Sequence, residues 1–330
     1  MNVLVTGGAG FIGSHFIRHL LHKQQGDMVV NLDALTYAAD MRNLADIEEN
    51  YHYQFIQGNI ENRELVYHLM RTYEIDVIVN FAAETHVDRS ITQPDVFIGT
   101  NVLGTQVLLD AALHFGASRF VQISTDEVYG SLGEAGYFTE TSPLAPSSPY
   151  SSSKAGADLL VLAYHRTFGL PVNITRCSNN YGPHQHPEKL IPRMITRAMQ
   201  NKRLPVYGKG ENVRDWLHVK DHAEAVLRVL QQGKSGEVYN IGGHNEWNNL
   251  SLVKLLLELL GKDEQLVEYV QDRPGHDLRY AIDASKIQQE LDWKPTRSFQ
   301  EGLIETIEWY MERYAKLDVG ERTQIAQVLQ

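Results

Sequence analysis

Short β-branched runs at residues 2–6, 28–33, 53–60, 76–83, 119–125 and 172–178 alternate with helical patterns through the first half of the chain. Runs such as Val77-Ile78-Val79 are apolar on both faces. A strand buried on both sides has to lie in a parallel sheet covered by helices on each face, because only crossover helices return the chain to the next parallel strand. Right-handed crossovers then leave an α/β, doubly wound sheet with its ligand-binding edge at the carboxyl ends of the strands.

The alternation weakens near Asn179. A Pro-rich loop follows, then helical patterns at 189–200, 250–260, 284–291 and 299–317 and a short strand at 206–208. The expected division is a nucleotide-binding domain over 1–178 with 215–243, and a smaller, mostly helical substrate-binding lobe over 179–214 with 244–330. With 330 residues the chain can bury a core for each. Its formal charge of −11 repels phosphate backbones and anionic lipid, so neither nucleic acid nor a membrane is expected as partner. Any anionic ligand must be met by local donors. The single cysteine, Cys177, cannot form an intrachain disulfide or a thiolate cage. Cytoplasm is the expected location, with no secretory signal at the start and no apolar run approaching a membrane span. Two helical segments, 101–115 and 149–168, are apolar around much of their circumference. Either they pair with their copies in a homodimer or the second lobe covers them.

After the first strand comes Thr6-Gly7-Gly8-Ala9-Gly10-Phe11-Ile12-Gly13, then an amphipathic helix over 14–22. The glycines satisfy both a GxGxxG frame (8, 10, 13) and a GxxGxxG frame (7, 10, 13). Glycine lets the backbone turn tightly against a pyrophosphate, whose charge meets free N–H groups at the helix start. Asp33 ends the second strand about 20 residues beyond Gly13, where a carboxylate accepts from an adenosine ribose. Ala34 and Leu35 follow, with no arginine for a 2′-phosphate, so this Rossmann arrangement selects NAD over NADP.

The segment Ser148-Pro149-Tyr150-Ser151-Ser152-Ser153-Lys154 reads as a helix start with Ser148 as N-cap and Pro149 first in the helix. Tyr150 and Lys154 then share a face, and the lysine is expected to lower the phenol's pKa and make it a base for an alcohol proton. Lys154 also suits the nicotinamide ribose. The fifth strand ends in Ser124-Thr125-Asp126-Glu127-Val128-Tyr129-Gly130. Adjacent carboxyls resist double ionisation, so one can act as general acid and the other as general base, which suits elimination of water. Taken alone, Asp126-Glu127 reads first as an acidic loop capping the next turn; beside the Tyr150-Lys154 pair the catalytic reading ranks above it. His184-x-His186 has a ligand-like spacing, but no third ligand is evident and no metal is expected.

The motifs TGGAGFIG (6–13), FAAETHVDRSI (81–91), STDEVYG (124–130), YSSSK (150–154), NNYGPHQHPEKLIP (179–192), LPVYGKGENVRDWLHVKDH (204–222), YNIGGHNEWNN (239–249) and DRPGHDLRYAID (272–283) span the chain. Together they resemble the extended short-chain dehydrogenase/reductase superfamily and, within it, the dTDP-glucose 4,6-dehydratase family. That resemblance implies an NAD-dependent hydro-lyase that oxidises C4 of a nucleotide-bound glucose, eliminates water across C5 and C6, and returns hydride to C6. Its 4-keto-6-deoxy product feeds deoxysugar biosynthesis of the rhamnose type. Tyr150 would be the base at O4, Glu127 the base at C5, Asp126 the acid at the C6 hydroxyl, and Thr125 a hydrogen-bond partner at O4.

By the same resemblance, NAD would be touched by Gly7, Gly10, Phe11, Ile12, Gly13, Asp33, Ala34, Leu35 and Thr36. Further contacts would come from Asn59, Ile60, Phe81, Ala82, Ala83, Thr85, Thr100 and Asn180. The nucleotide sugar would be gripped by Thr85, Asn179, Lys189, Leu190, Pro205, Val206, Tyr207, Arg214, Asn249, Arg273 and His276. Two departures stand out. Asn59 occupies the place of an adenine-binding Asp, and Leu278 that of a common arginine. A UDP-glucose 4,6-dehydratase keeps the same acidic pair. A nucleotide-sugar 4-epimerase lacks it, and a non-catalytic NAD-sensing protein has no use for it.

Overall fold

The computed structural model describes residues 1–23, 26–272 and 276–316. In chain order the strands are β1 (Val3–Thr6), β2 (Val29–Asp33), β3 (Tyr53–Gln57), β4 (Val77–Asn80), β5 (Arg119–Thr125), β6 (Val172–Cys177), β7 (Asn179–Tyr181), β8 (Leu204–Tyr207), β9 (Val213–His218), β10 (Val238–Ile241), β11 (Glu246–Asn248) and β12 (Val267–Val270). The helices are α1 (Phe11–Lys23), α2 (Arg63–Thr72), α3 (Val87–Thr92), α4 (Pro94–Phe97), α5 (Thr105–Phe115), α6 (Pro149–Phe168), α7 (Leu190–Met199), α8 (Val219–Gln232), α9 (Asn249–Leu259), α10 (Ser285–Leu291) and α11 (Phe299–Lys316).

The main sheet has seven strands in the order β10-β6-β5-β4-β1-β2-β3, and every pairing is parallel. Side-chain alternation explains the apolar runs. Val3 and Val5 of β1 enter one core with Phe16, Ile17 and Leu20 of α1, while Leu4 between them enters the opposite core with Leu108, Leu109 and Phe120. Each fully buried aliphatic side chain contributes about 1.5–3 kcal/mol, so the two cores fix the strand register.

The sheet order turns back at β1, with β2 on one side and β4 on the other, and the crevice at the carboxyl ends of these strands opens there. The strands are shorter than expected at this edge. Instead of continuing to 60 and 83, β3 stops at Gln57 and β4 at Asn80. Beyond β4, Phe81 N donates to Thr6 O at 3.1 Å and Ala82 N to the Thr6 hydroxyl at 3.2 Å, bending the chain over the glycine turn.

The seventh strand, β10, was not legible as part of the sheet. It pairs with β6 after α8, which packs on α1. The later part of the chain holds a separate core of Tyr181, Ile195, Trp216, Leu256 and Leu303, and two small sheets, β11-β9-β7 and β12-β8. β9 joins the first of these rather than the main sheet.

The 101–115 helix is the end of a longer helical stretch over 94–115, widened by π-type turns over Ile98–Gly104. Contrary to the expectation that nothing approached a span, this stretch is long and apolar enough to cross a membrane by length and composition. Its polar groups are used inside the fold. Asn101 Nδ2 donates to Glu84 O and to the Ser153 hydroxyl at 2.8 Å, and the Asp110 carboxylate pairs with Arg63 and accepts from the Tyr164 hydroxyl.

Candidate active site

Of the two glycine frames, the structure selects 7, 10 and 13. Gly7 turns with φ +70°, and a Cβ there would lie 2.7 Å from Ala82 N. A Cβ on Gly13 would lie 2.4 Å from Gly7 O, so α1 abuts the turn only because that atom is missing. Gly10 faces the crevice, with Gly7 O at 3.2 Å the nearest obstacle to a Cβ. Gly8 instead packs inward against Ile17 and Asn31. Asp33 is buried, its oxygens accepting from Ala9 N at 2.9 Å and Leu35 N at 2.8 Å, and burial raises its pKa.

One cavity runs from this turn to the end of β5. Gly7, Gly10, Phe11, Ile12 and Gly13 line its floor, and Asp33, Ala34, Thr36, Asn59, Ile60 and Thr100 its far end. Phe81, Ala82, Ala83, Thr85, Asn179, Asn180 and Lys189 line it as well, with Lys189 Nζ donating to Thr85 O at 3.1 Å. Leu35 is a correction. It turns away with φ +52° and packs on the core beside α1 rather than lining the cavity. The carbonyl of Asn59, expected to serve an adenine amino group, accepts Glu61 N at 2.9 Å.

At the other end stand Thr125, Asp126, Glu127, Tyr150 and Lys154. Ser148 caps α6 through the Ser151 N–H at 3.1 Å, with Pro149 in the first turn, as expected. This cap sets Tyr150 in the first turn of α6, pointing at the carboxyl end of β5. Lys154 Nζ donates to Ile123 O at 2.7 Å. The expected lowering of the Tyr150 phenol is not what this environment produces. Burial, then the negative potential of Glu127, Cys177 and Asp126, pushes it well above its ordinary value, opposed by a hydrogen bond with Thr125. Asp126 is likewise pushed well up, by burial first, then by Glu127 and Asp215, with Arg214 acting the other way. That environment favours its protonated form. Asp126 Oδ2 is buried without a hydrogen-bond partner, as are Asn179 Oδ1 and Ser178 Oγ, which gives a polar ligand in this cavity something to satisfy.

The remaining substrate positions lie in the smaller lobe. Pro205 and Tyr207 alternate with buried Leu204 and Val206 along β8, so the Val206 side chain belongs to the core and cannot be a side-chain contact, a second correction. Leu190 opens α7 and also packs on that core. Arg214 lies over the Tyr280 ring at 4.2 Å and donates to Asp277 O at 3.0 Å. Asn249 opens α9 with its amide oxygen buried and unpartnered. His276 pairs with Asp272 at 2.6 Å. Arg273 lies outside the described residues. Neither Leu190, Pro205, Tyr207, Arg214, Asn249 nor His276 lines the main cavity, although Arg214 is close enough to act on Asp126. Of the histidine pair, His184 Nδ1 is 2.9 Å from Asn43 Oδ1, while His186 faces Glu188 at 3.8 Å.

Residues 4–306 match the family model described as GDP-mannose 4,6 dehydratase. The chain belongs to that family. The dTDP-glucose 4,6-dehydratase of Xanthomonas campestris pv. campestris is 51% identical over 326 residues, covering 93% of this chain and 92% of that protein. The low-salt glycan biosynthesis protein Agl12 of Haloferax volcanii is 55% identical over 311 residues, covering 94% and 99%. Among solved structures, the dTDP-glucose 4,6-dehydratase DesIV of Streptomyces venezuelae, with NAD and TYD bound, superposes with a TM-score of 0.93 at 51% identity, covering 96% of this chain and 98% of that one.

In this family member, sequence reasoning missed several wall residues. Glu84, held by Asn101 Oδ1 through its own N–H at 2.9 Å, lines the cavity with Cys177, Ser178, Gln185 and His186. Cys177 pairs in register with Thr125 across β5 and β6, so its thiol had to reach the same edge. The sixth strand, read beside the fifth, carried that signal.

Proposed function

We propose that this chain is an NAD-dependent dTDP-glucose 4,6-dehydratase, converting dTDP-glucose to dTDP-4-keto-6-deoxyglucose and water. The observation that carries the reading is a buried Asp126, its pKa pushed up first by burial and then by Glu127, standing beside Glu127 in the same cavity end as Tyr150. An epimerase has no use for an acid and a base in tandem, nor does a non-catalytic sensor. NAD, when bound, accepts a hydride from C4 and gives it back at C6. The cradle fits such a dinucleotide, since Gly7 and Gly13 leave no room for side chains and Gly10 leaves the crevice open where a pyrophosphate meets the first N–H groups of α1.

Tyr150 takes the O4 proton as C4 is oxidised. The new ketone acidifies the C5–H, which Glu127 removes, and Asp126 gives its proton to the C6 hydroxyl, which leaves as water. A proton returned to C5 completes the product, with no net redox change. Thr125 steers the O4 end through its hydroxyl, which meets both Asp126 and Glu127 N at 3.3 Å. Burial raises the Tyr150 phenol, and a positive charge brought opposite it would favour loss of its proton.

Lys189 and Arg214, together with Arg273, offer the cations for a nucleoside diphosphate in a chain that is otherwise acidic. The protein acts in the cytoplasm as a homodimer. Ile98, Leu103 and Leu159 are exposed on the 94–115 stretch and α6, which supports pairing of these helices between copies rather than cover by the second lobe. The division into 1–178 with 215–243 and 179–214 with 244–330 is supported by the separate core of the later segments, with two exceptions: β9 serves the smaller sheet, and Ile287 and Leu291 of α10, with Trp293 just after it, pack in the main-sheet core beside α1. Incubation with dTDP-glucose and UDP-glucose in deuterium oxide tests the reading by mass spectrometry. The dTDP product loses one water and gains solvent deuterium at C5. Faster turnover of UDP-glucose would move the assignment to that substrate, and a mass-neutral product would make it an epimerase.

A further inference from the structure

Tyr150, Lys154 and Asp158 recur every fourth residue along α6, so one face of the helix carries a phenol, an ammonium and a carboxylate in line. All three are buried, and Asp158 is completely so. Asp158 Oδ2 accepts from Arg176 Nε at 2.9 Å. Arg176 comes from β6, where it pairs in register with Ser124 of β5, so both side chains emerge on the sheet face that α6 covers. Its Nη1 donates to the Tyr129 hydroxyl at 2.9 Å, the guanidinium lies over the Tyr129 ring at 4.8 Å, and that hydroxyl donates to Asn240 Oδ1 at 2.8 Å. Behind the reacting phenol, two buried cations therefore share one fully buried carboxylate.

A buried ion pair is poor evidence of a stability role, because well-packed apolar groups of similar volume usually serve stability as well or better. The placement of this one has another consequence. Lys154 shares its helix face with Tyr150 and Asp158, and shares the cavity end with Tyr150, Asp126, Glu127 and Cys177, while Arg176 meets Asp158 from β6. Burial raises the pKa of both Cys177 and Asp126, so it disfavours their anionic forms. Burial drives Lys154 toward losing its proton, and Asp158 is the largest influence restoring it.

We propose that Asp158 is a positioning residue of the reaction: as shared counter-ion of Lys154 and Arg176, it keeps the ammonium charged and seated on Ile123 O, facing Tyr150. This rests on the role of Tyr150 proposed above. Without the carboxylate, Lys154 loses the largest influence that opposes its burial, and the ammonium gives up its proton at lower pH. Without Arg176, Asp158 serves Lys154 alone and the ammonium persists to higher pH. A scaffold role predicts no such opposition of sign.

The test is the pH profile of single-turnover NADH formation from dTDP-glucose with the NAD-loaded enzyme. Asp158→Asn keeps the side chain's shape, and it moves the alkaline limb down by about one pH unit or more while KM stays within about twofold. Adding Arg176→Gln brings the limb back toward that of the parent, although a further contact is lost. Cofactor affinity of the single and double variants, read from tryptophan fluorescence quenching, stays within about threefold of the parent, because neither residue lines the cofactor cradle. Superimposable limbs for the parent and Asp158→Asn, or a double variant shifted further than the single, overturn the proposal. If Asp158→Asn does not fold, Arg176→Gln alone decides: an upward shift supports the counter-ion role, and an unmoved or lowered limb overturns it. A parent enzyme that oxidises no nucleotide hexose overturns the functional reading and this assignment with it, whereas a working parent with unmoved limbs overturns this assignment alone.

Discussion

Lys154 Nζ donates to the main-chain oxygen of Ile123 at 2.7 Å, which ties the helix bearing Tyr150 to the strand whose end bears Thr125 and Asp126. The bond spans 31 residues of sequence. It fixes the distance between Tyr150, proposed as the O4 base, and the Asp126-Glu127 pair through one rigid sheet and one rigid helix, leaving the loop between them free to vary.

The acid role of Asp126 gives the first prediction. Asp126→Asn keeps the shape but has no acidic proton, so dehydration falls by about 10²–10⁴-fold while NADH still accumulates in a single turnover. Because burial raises the Asp126 pKa, the elimination step of the parent is lost as pH rises through that raised value. Stopped-flow absorbance and product mass spectrometry check both statements, and unimpaired dehydration in the variant rules out the assignment.

The glycine frame gives a second prediction, by contrast between two positions. Gly10→Ala leaves the fold intact, since only Gly7 O at 3.2 Å stands near the added carbon, but the methyl occupies pyrophosphate space and cofactor affinity drops. Gly13→Ala meets main-chain atoms at 2.4 and 2.8 Å and costs about 1–3 kcal/mol of stability as well. Calorimetric NAD titration and thermal melting separate the two, and equal melting temperatures contradict the account.

Much of this site was legible before any coordinates. The both-face apolar strands determined the parallel sheet, because no other arrangement buries Leu4 and its neighbours Val3 and Val5 at once. Ser148 and Pro149 marked the start of α6, which fixed the face shared by Tyr150 and Lys154. The environment of those residues was not legible. The sign of the Tyr150 shift depends on burial and on Cys177, whose approach follows from the register of β5 against β6. A side-chain contact from Val206 was not separable in sequence from those of Pro205 and Tyr207, because only the alternation along β8 shows that it turns inward. Strand β10 lies in the 215–243 segment expected in the nucleotide-binding domain, but Val238–Ile241 is too short to have been read as a strand.

Buried histidines give a third prediction. His222 is fully enclosed with Nδ1 2.9 Å from Asn180 Oδ1, and burial lowers its pKa to about 3. Its neutral form is favoured in the fold, so below about 6.5 the unfolded chain binds a proton that the folded chain refuses, and stability falls as pH drops from there toward 3. His222→Asn keeps a donor for Asn180 and removes that titration. The stability advantage of the parent over the variant therefore shrinks by about 1–3 kcal/mol between pH 7 and pH 4. Denaturant melts at the two pH values measure it, and a constant difference contradicts it.

The exposed leucines give a fourth. Leu103 and Leu159 stand 51% and 59% exposed on the helices proposed to pair. Replacing both by glutamate places like charges across a two-fold contact and yields monomers in sedimentation velocity, while the parent sediments as a dimer. A monomeric parent, or a variant that still dimerises, removes these helices from the interface.

The central claim is that the hydrogen taken from C4 returns to C6 of the same sugar, and one label decides it. With dTDP-glucose carrying deuterium at C4, NMR of the product should show that deuterium in the C6 methyl group, with C5 carrying hydrogen from solvent. Deuterium found still at C4, or lost to the medium, would contradict the account.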